Sequence, residues 1–257
     1  MRHHISWPMW QRSTTRVCLT QPAGIRQAMQ VSDIVGLPLE LGSAIRHRRV
    51  FHPAGVLANG SIERIAPPGY GLPVGSSTIV GRLSKGVGLP GCLPDIVGLA
   101  WRMPPQASAP TPWDVLLASA GAGVVARYLL RPATSWSGVI LSSLMPLRYQ
   151  GQNWWISARI TADIEDWGIS LASMARQIAS GGVQVSIEQA CGSTGDFRPL
   201  ACLTLREVLP AGADIAFDPT THSAPEVKPF PGWLTSLRRD AYRRSRQGRA
   251  EKHVLVD

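Results

Sequence analysis

The sequence predicts a β-rich α+β fold: one antiparallel barrel with crossover helices and a further helix after the barrel. Three observations carry that expectation. The 257 residues include 25 Gly and 21 Pro, scattered rather than clustered, as in chains with many turns and short elements. Apolar residues make up 44% of the chain, enough for a sizeable core, and a barrel can absorb this length as one unit. Runs of β-branched and aromatic residues alternate with Gly- and Pro-rich breaks, and no internal repeat is visible.

The elements follow in order. Residues 1–40 read as an N-terminal arm of mixed polarity, broken by Gln-Pro and Gly-Leu-Pro. Strands are expected at 49–57 and 61–65, joined as a hairpin through Ala58-Asn59-Gly60, because Asn-Gly is a strong turn signal. Further strands are expected at 78–83 and 97–103 around a Gly/Pro loop at 89–94. The Pro-rich stretch 104–112 is a surface loop. A crossover region at 115–150 precedes strands at 154–163, 183–189 and 201–207. A short helix is inserted at 171–180, with turns at Gly181-Gly182 and at 192–195. Residues 208–232 are mostly loop, and 233–249 have a strongly helical pattern. The whole chain, 1–257, is expected to be a single domain.

The net charge of +9 raises nucleic acid as a partner, but the basic residues concentrate at 46–49 and 238–252. Two local clusters can equally neutralise a bound anion, such as the carboxylates of a cofactor. Nucleic acid is therefore not the expected partner. Cys18, Cys92, Cys191 and Cys202 form no C-x-x-C pair and no metal-ligand spacing. With no signal-peptide pattern at the N-terminus, a reducing cytoplasm is the expected compartment. The apolar run at 115–130 is interrupted by Arg127 and is too short to span a membrane.

The segment WLTSLRRDAYRRSRQGR carries the most chemical information. On a helix, Arg238 and Arg249 fall within roughly 40° of Tyr242 on one face. Guanidinium groups beside a phenol favour the phenolate, a hard anionic ligand suited to ferric iron. Taken alone, the same pattern describes a solvated basic helix whose Tyr packs on the core. His52 lies in a probable strand three residues after Arg49, and a lone His there is equally a satisfied core residue. Arg82 and Ser84 share one strand face. The hydroxyl can set an imidazole tautomer and the guanidinium can pair a carboxylate.

Together these segments resemble catalase. RRVFHPAGVLANGSI is similar to the catalase distal segment R-x-x-H-A-x-G-x-x-A-x-G, matched at Arg49, His52, Gly55, Ala58 and Gly60. GRLSKGVG resembles the next catalase strand, with its R-F-S core, and PDIVGLAWRM resembles D-x-x-G-x-A-x-[KR]. PWDVLLA resembles N-W-D-L-V-G-N, and RRDAYRRSRQGR resembles the R-x-x-x-Y proximal helix. The five motifs occur in catalase order between positions 49 and 249.

The resemblance implies a shortened catalase-like haem domain that binds haem b, with residues 233–250 as the proximal ligand helix. Tyr242 would ligate the iron, with Arg238 hydrogen-bonded to its phenolate. Arg49, Arg82 and Arg249 would pair the propionates. His52 would be the distal acid and base, oriented by Ser84. Neutral imidazole suits that role, because a peroxide needs one proton taken and returned to its leaving oxygen.

Several positions depart from the catalase pattern. Ala118 stands where catalases place the distal Asn, leaving Ser119 or another group to replace the amide. Gly123-Val124 replaces an aromatic pair, Phe51 precedes the His, and Pro53 replaces the following Ala. The chain is also much shorter than a catalase subunit. It therefore resembles the small catalase-related haem peroxidases and, more distantly, allene oxide synthase. The expected activity is reduction of hydrogen peroxide or organic hydroperoxides by small organic donors, with weak catalase activity. A hydroperoxide isomerase or lyase, and a haem-binding protein without turnover, are the alternatives. A homodimer is among the expected assemblies.

Overall fold

The computed structural model describes residues 54–105, 110–121, 123–162, 164, 168–213 and 215–232. Ten strands form one antiparallel sheet: β1 (Ala54–Arg64), β2 (Ser77–Lys85), β3 (Val97–Met103), β4 (Trp113–Ser119), β5 (Ile140–Ser142), β6 (Leu147–Tyr149), β7 (Gln152–Ile160), β8 (Val183–Cys191), β9 (Arg198–Val208) and β10 (Lys228–Pro229). The order is β10-β6-β7-β5-β4-β3-β2-β1-β9-β8, and β7 also pairs with β8. That last pairing closes eight strands into a barrel, with β6 and β10 attached outside the ring. The expected β-rich antiparallel barrel is present.

Closure gives every strand an inside and an outside, because successive side chains alternate across the sheet. Ile79 and Leu83 of β2, Val97, Leu99 and Trp101 of β3, and Val115 and Leu117 of β4 all enter one buried cluster. So do Ile156, Ala158 and Ile160 of β7, Val183, Val185 and Ile187 of β8, and Leu203 and Leu205 of β9. The helix α1 (Leu171–Gly181) adds Met174 and Ile178, four residues apart on one face. Ser170 caps its first turn by accepting the Ser173 N–H at 3.3 Å. Gly182, at φ 79°, ends it and donates its N–H to the Ile178 carbonyl at 3.1 Å.

One expectation fails in β1. Residues 58–60 do not turn a hairpin; β1 runs continuously from Ala54 to Arg64, and its register against β9 shifts between Asn59 and Gly60. The tight two-residue turn needs positive φ at both central residues, and neither Asn59 nor Gly60 has it. Instead the Asn59 amide donates to the Glu207 carboxylate at 3.0 Å, and Gly60 lets the β9 backbone approach where a Cβ would strike the Thr204 carbonyl. The expected strand at 97–103 has its observed bounds, and the helix at 171–180 is one residue longer. The 115–130 run divides into the end of β4 and a turn with a 3-10 segment, Ala126–Tyr128.

A buried ion pair ties the long 215–223 loop to the outside of the barrel. Arg102 of β3 grips Asp114 of β4 through Nε and Nη2, both at 2.7 Å. Asp114 is 1% exposed and also accepts the Asp218 N–H at 2.7 Å. The His222 Nδ1 lies 2.9 Å from the same carboxylate. The hydrogen bond to Asp114 raises the Arg102 pKa above its ordinary value, against the opposing effect of burial. Asp114→Asn leaves the guanidinium without its counter-charge and is expected to cost about 3 kcal/mol, the lower part of the range for breaking a buried pair. The lower part applies because the Arg102 side chain is 26% exposed. Urea unfolding measures this; a loss below about 1 kcal/mol would show that the pair does not hold the loop.

Candidate functional site

Of the residues singled out by sequence, Arg82 and Ser84 are described, both on β2. Arg49, His52, Arg238, Tyr242 and Arg249 lie outside the described residues, as do Phe51 and Pro53 and the segment expected as a proximal helix. The β2 alternation is as expected. Ile79, Leu83 and Lys85 are buried on the core side, while Arg82 and Ser84 share the opposite, outward face.

The register extends that face across four strands. Gly55 of β1 lies opposite Ser84, Ser84 opposite Gly98 of β3, and Gly98 opposite Ala118 of β4. At ~4.8 Å per strand this row of small residues is about 14 Å wide. The next row, one step along the same face, is Leu57, Arg82, Ala100 and Leu116. Gly55 is exposed, Arg82 and Ala118 are half-buried, and Ser84 and Gly98 are buried. The Ser84 hydroxyl donates to the Gly98 carbonyl at 3.4 Å.

Gly55 holds this face open for Arg82. A Cβ at position 55 would stand 2.5 Å from the Arg82 Nε, 2.9 Å from the Leu83 carbonyl and 3.0 Å from the Ser84 Cβ. The guanidinium stem therefore crosses the space that a side chain on β1 would take. A flat ring carrying carboxylates suits such a surface: small residues make a shallow bed, and a planar guanidinium at its side can pair an acid.

The loops at this end of β2, β3 and β4 are anchored from within. Asp95, 3% exposed, accepts the N–H groups of Val87, Gly88 and Leu89 at 2.9, 2.8 and 3.1 Å. It also exchanges backbone hydrogen bonds with Ala133 at 3.2 and 2.8 Å, joining the β2–β3 loop to the β4–β5 crossover. Lys85 donates to the Leu89 carbonyl. At the other end of β1, Arg64 gathers the 66–74 loop by donating to five carbonyls, Leu72 and Val74 each at 2.8 Å among them. Burial lowers the pKa of that guanidinium.

Ala118, where the resemblance expects a distal amide, stands in the Ser84 row on the outward face. Ser119 does not replace that amide. It points to the core side of β4, 1% exposed, and its hydroxyl donates to the Arg131 carbonyl at 2.7 Å while accepting the Val97 N–H at 3.1 Å. Two features were not anticipated from the sequence: the His222 arm of the Arg102–Asp114 pair, and a buried Arg127. Asp114 and Arg102 both sit inside recognised motifs, so alternation could have put them on one face. Nothing in the sequence pattern relates His222 to them. Among the described residues no group of three or more His, Cys, Asp or Glu could hold a bare metal ion. Cys92, Cys191 and Cys202 are free thiols, and burial raises the Cys202 pKa.

The Gly55–Arg82 contact is testable by a double-mutant cycle. Gly55→Ala is expected to cost about 1–3 kcal/mol, as overpacking does. In an Arg82→Ala background the cost should fall by at least ~0.5 kcal/mol, the coupling expected of residues in contact. Strict additivity in urea unfolding would show that Arg82 does not cross Gly55.

No protein-family model matches the chain, and no curated protein is similar to it in sequence. Solved structures are similar to it. A bacterial catalase superposes with a TM-score of 0.56 at 13% identity, covering 86% of this chain and 62% of the catalase. A fungal catalase gives 0.58 at 12% identity, covering 89% and 66%. Catalase A from Saccharomyces cerevisiae gives 0.53 at 13% identity, covering 89% and 67%. The chain thus spans about two thirds of the length of these catalases. Among the described residues no helix is long and apolar enough to cross a membrane. The eight-stranded ring with its inserted helix is a catalase-like fold.

Proposed function

We propose that this chain is a haem b peroxidase that reduces hydrogen peroxide or organic hydroperoxides with small organic electron donors and has weak catalase activity. One observation carries the reading. Arg82 and Ser84 share the outward face of β2 on a catalase-like barrel, Ser84 in register with Gly55, Gly98 and Ala118 and Arg82 one row along. The resemblance assigns Gly55, Ser84 and Ala118 to the distal side of the haem and Arg82 to a propionate.

In this reading Arg82, with Arg49 and Arg249, pairs the propionates, and Tyr242 ligates the iron as a phenolate held by Arg238. Bound there, haem supplies the redox chemistry toward peroxide. His52 takes the proton from one peroxide oxygen and returns it to the leaving oxygen, a task suited to neutral imidazole. Ser84, on the same face, orients that ring. Ala118 presents only a methyl group where an amide would hold a second peroxide. That favours donor oxidation over dismutation.

The same observation supports a second reading, a hydroperoxide isomerase or lyase. With Ala118 half-buried and the Ser119 hydroxyl turned to the core, β4 places no polar group at this row. A bulkier hydroperoxide meets less obstruction there. Supplying a lipid hydroperoxide with and without an electron donor separates the two: a peroxidase needs the donor, an isomerase does not.

Visible spectroscopy of the purified protein tests the central claim. A high-spin ferric haem spectrum with tyrosinate ligation is expected, and Tyr242→Phe should purify with little or no haem. A protein that stays colourless after haem addition, or a Phe variant with normal haem content and spectrum, would overturn the ligand assignment. His52→Ala should retain haem and lose roughly 10²–10⁴-fold in the rate of peroxide reduction, the usual contribution of general acid–base catalysis. An undiminished stopped-flow rate would move the proton to another group.

A further inference from the structure

A second charged position lies on the outside of the barrel, at the crossover between β4 and β5. Arg127 sits in the short 3-10 segment Ala126–Tyr128 and is 3% exposed. Its guanidinium carbon lies 4.9 Å from the Phe197 ring centroid and 5.6 Å from that of Trp155. Trp155 is 1% exposed and alternates with the core residues Trp154 and Ile156 of β7, so it belongs to the outward face. The Tyr128 ring meets it edge-on at 4.5 Å.

Aromatic rings attract the face of a guanidinium, but its N–H donors lie in the plane, where the rings offer no acceptor. Along that edge the Arg127 Nε makes one long hydrogen bond to the Gly123 carbonyl, at 3.4 Å. The Nη1 is buried without a hydrogen-bond partner. No carboxylate forms an ion pair with Arg127 among the described residues. A guanidinium taken out of water with no counter-charge and a single long in-plane hydrogen bond is costly. A buried donor left over in this way calls for a physical explanation, and a bound ligand is one.

We propose that Arg127 is the receptor for an oxyanion, a carboxylate or phosphate group, held in the plane of the guanidinium between the Trp155 and Phe197 rings. The planar fork matches two oxygens of either group. The ligand would enter from the turn at 123–125, where Gly123, Val124 and Val125 are exposed and a Cβ at Gly123 would meet nothing within 4 Å. The exposed Val124, Val125, Tyr128 and Leu129 would contact an apolar body attached to the anion. The residues of this site are distinct from the row that contains Ser84.

The full-length protein is titrated with inorganic phosphate, acetate and octanoate at constant ionic strength. Binding is followed by tryptophan fluorescence, since Trp155 stacks on the receptor, and by the NMR signal of the Arg127 Nε–H. Saturable binding of at least one probe is expected, with a shift of that signal. Arg127→Met should abolish it, and Arg127→Lys should weaken it at least tenfold by removing the fork while keeping the charge. Octanoate binding at least tenfold tighter than acetate assigns an organic carboxylate; phosphate alone assigns a free ion or phosphate ester. If no probe moves the Arg127 signal, or if the folded Met variant binds as the parent does, the proposal is wrong. Should the Met variant fail to fold, the Nε–H shift in the parent protein and the Lys variant still decide.

Discussion

Pairing of β7 with β8 turns an open sheet into a ring, and the ring decides which half of every strand is core. In an open sheet both faces compete for burial. Once Trp154–Ile160 and Val185–Cys191 are paired, one side of each strand is enclosed and the alternation along it has a single solution. A one-residue slip of β2 would turn Leu83 outward and Arg82 into the apolar interior, a cost no local interaction offsets. The outward row from Gly55 to Ala118 is therefore a consequence of core packing.

Small residues on that row follow from what must lie against it. Gly55 leaves space that the Arg82 stem crosses, and Gly98 accepts the Ser84 hydroxyl through its carbonyl. Loops around the row are held by buried charges that saturate backbone groups: Asp95 for the β2–β3 loop, Asp114 for 215–223. Ionised side chains holding backbone N–H groups give loops a defined path without needing a hydrophobic interior of their own. At Arg127 the same polar groups leave a donor over.

Much of the barrel was legible because its signals are local. The 97–103 strand is an apolar run broken only by Arg102, between Gly/Pro-rich and Pro-rich loops, and the 171–181 helix has its cap, its four-residue spacing and its terminal glycine within one segment. The Asn59-Gly60 pair misled for an equally physical reason. Its turn propensity is intrinsic, but the bulge it makes is stabilised by Glu207 and by close approach of Thr204, contacts almost 150 residues away in the chain. Local propensity is a weak prior against long-range pairing.

The amino-acid order by itself determined the β-rich composition, the motif series from Arg49 to Arg249, and the alternation that puts Arg82 beside Ser84. Each depends on neighbours within a few residues. Only the tertiary structure decided that Ala118 shares a row with Ser84 while Ser119 turns to the core. The same holds for His222 joining Asp114 and Arg102, and for Arg127 closing between Trp155 and Phe197. Those relations bring together groups 20 to 120 positions apart. No periodicity within a segment encodes such distances; strand register and barrel closure do.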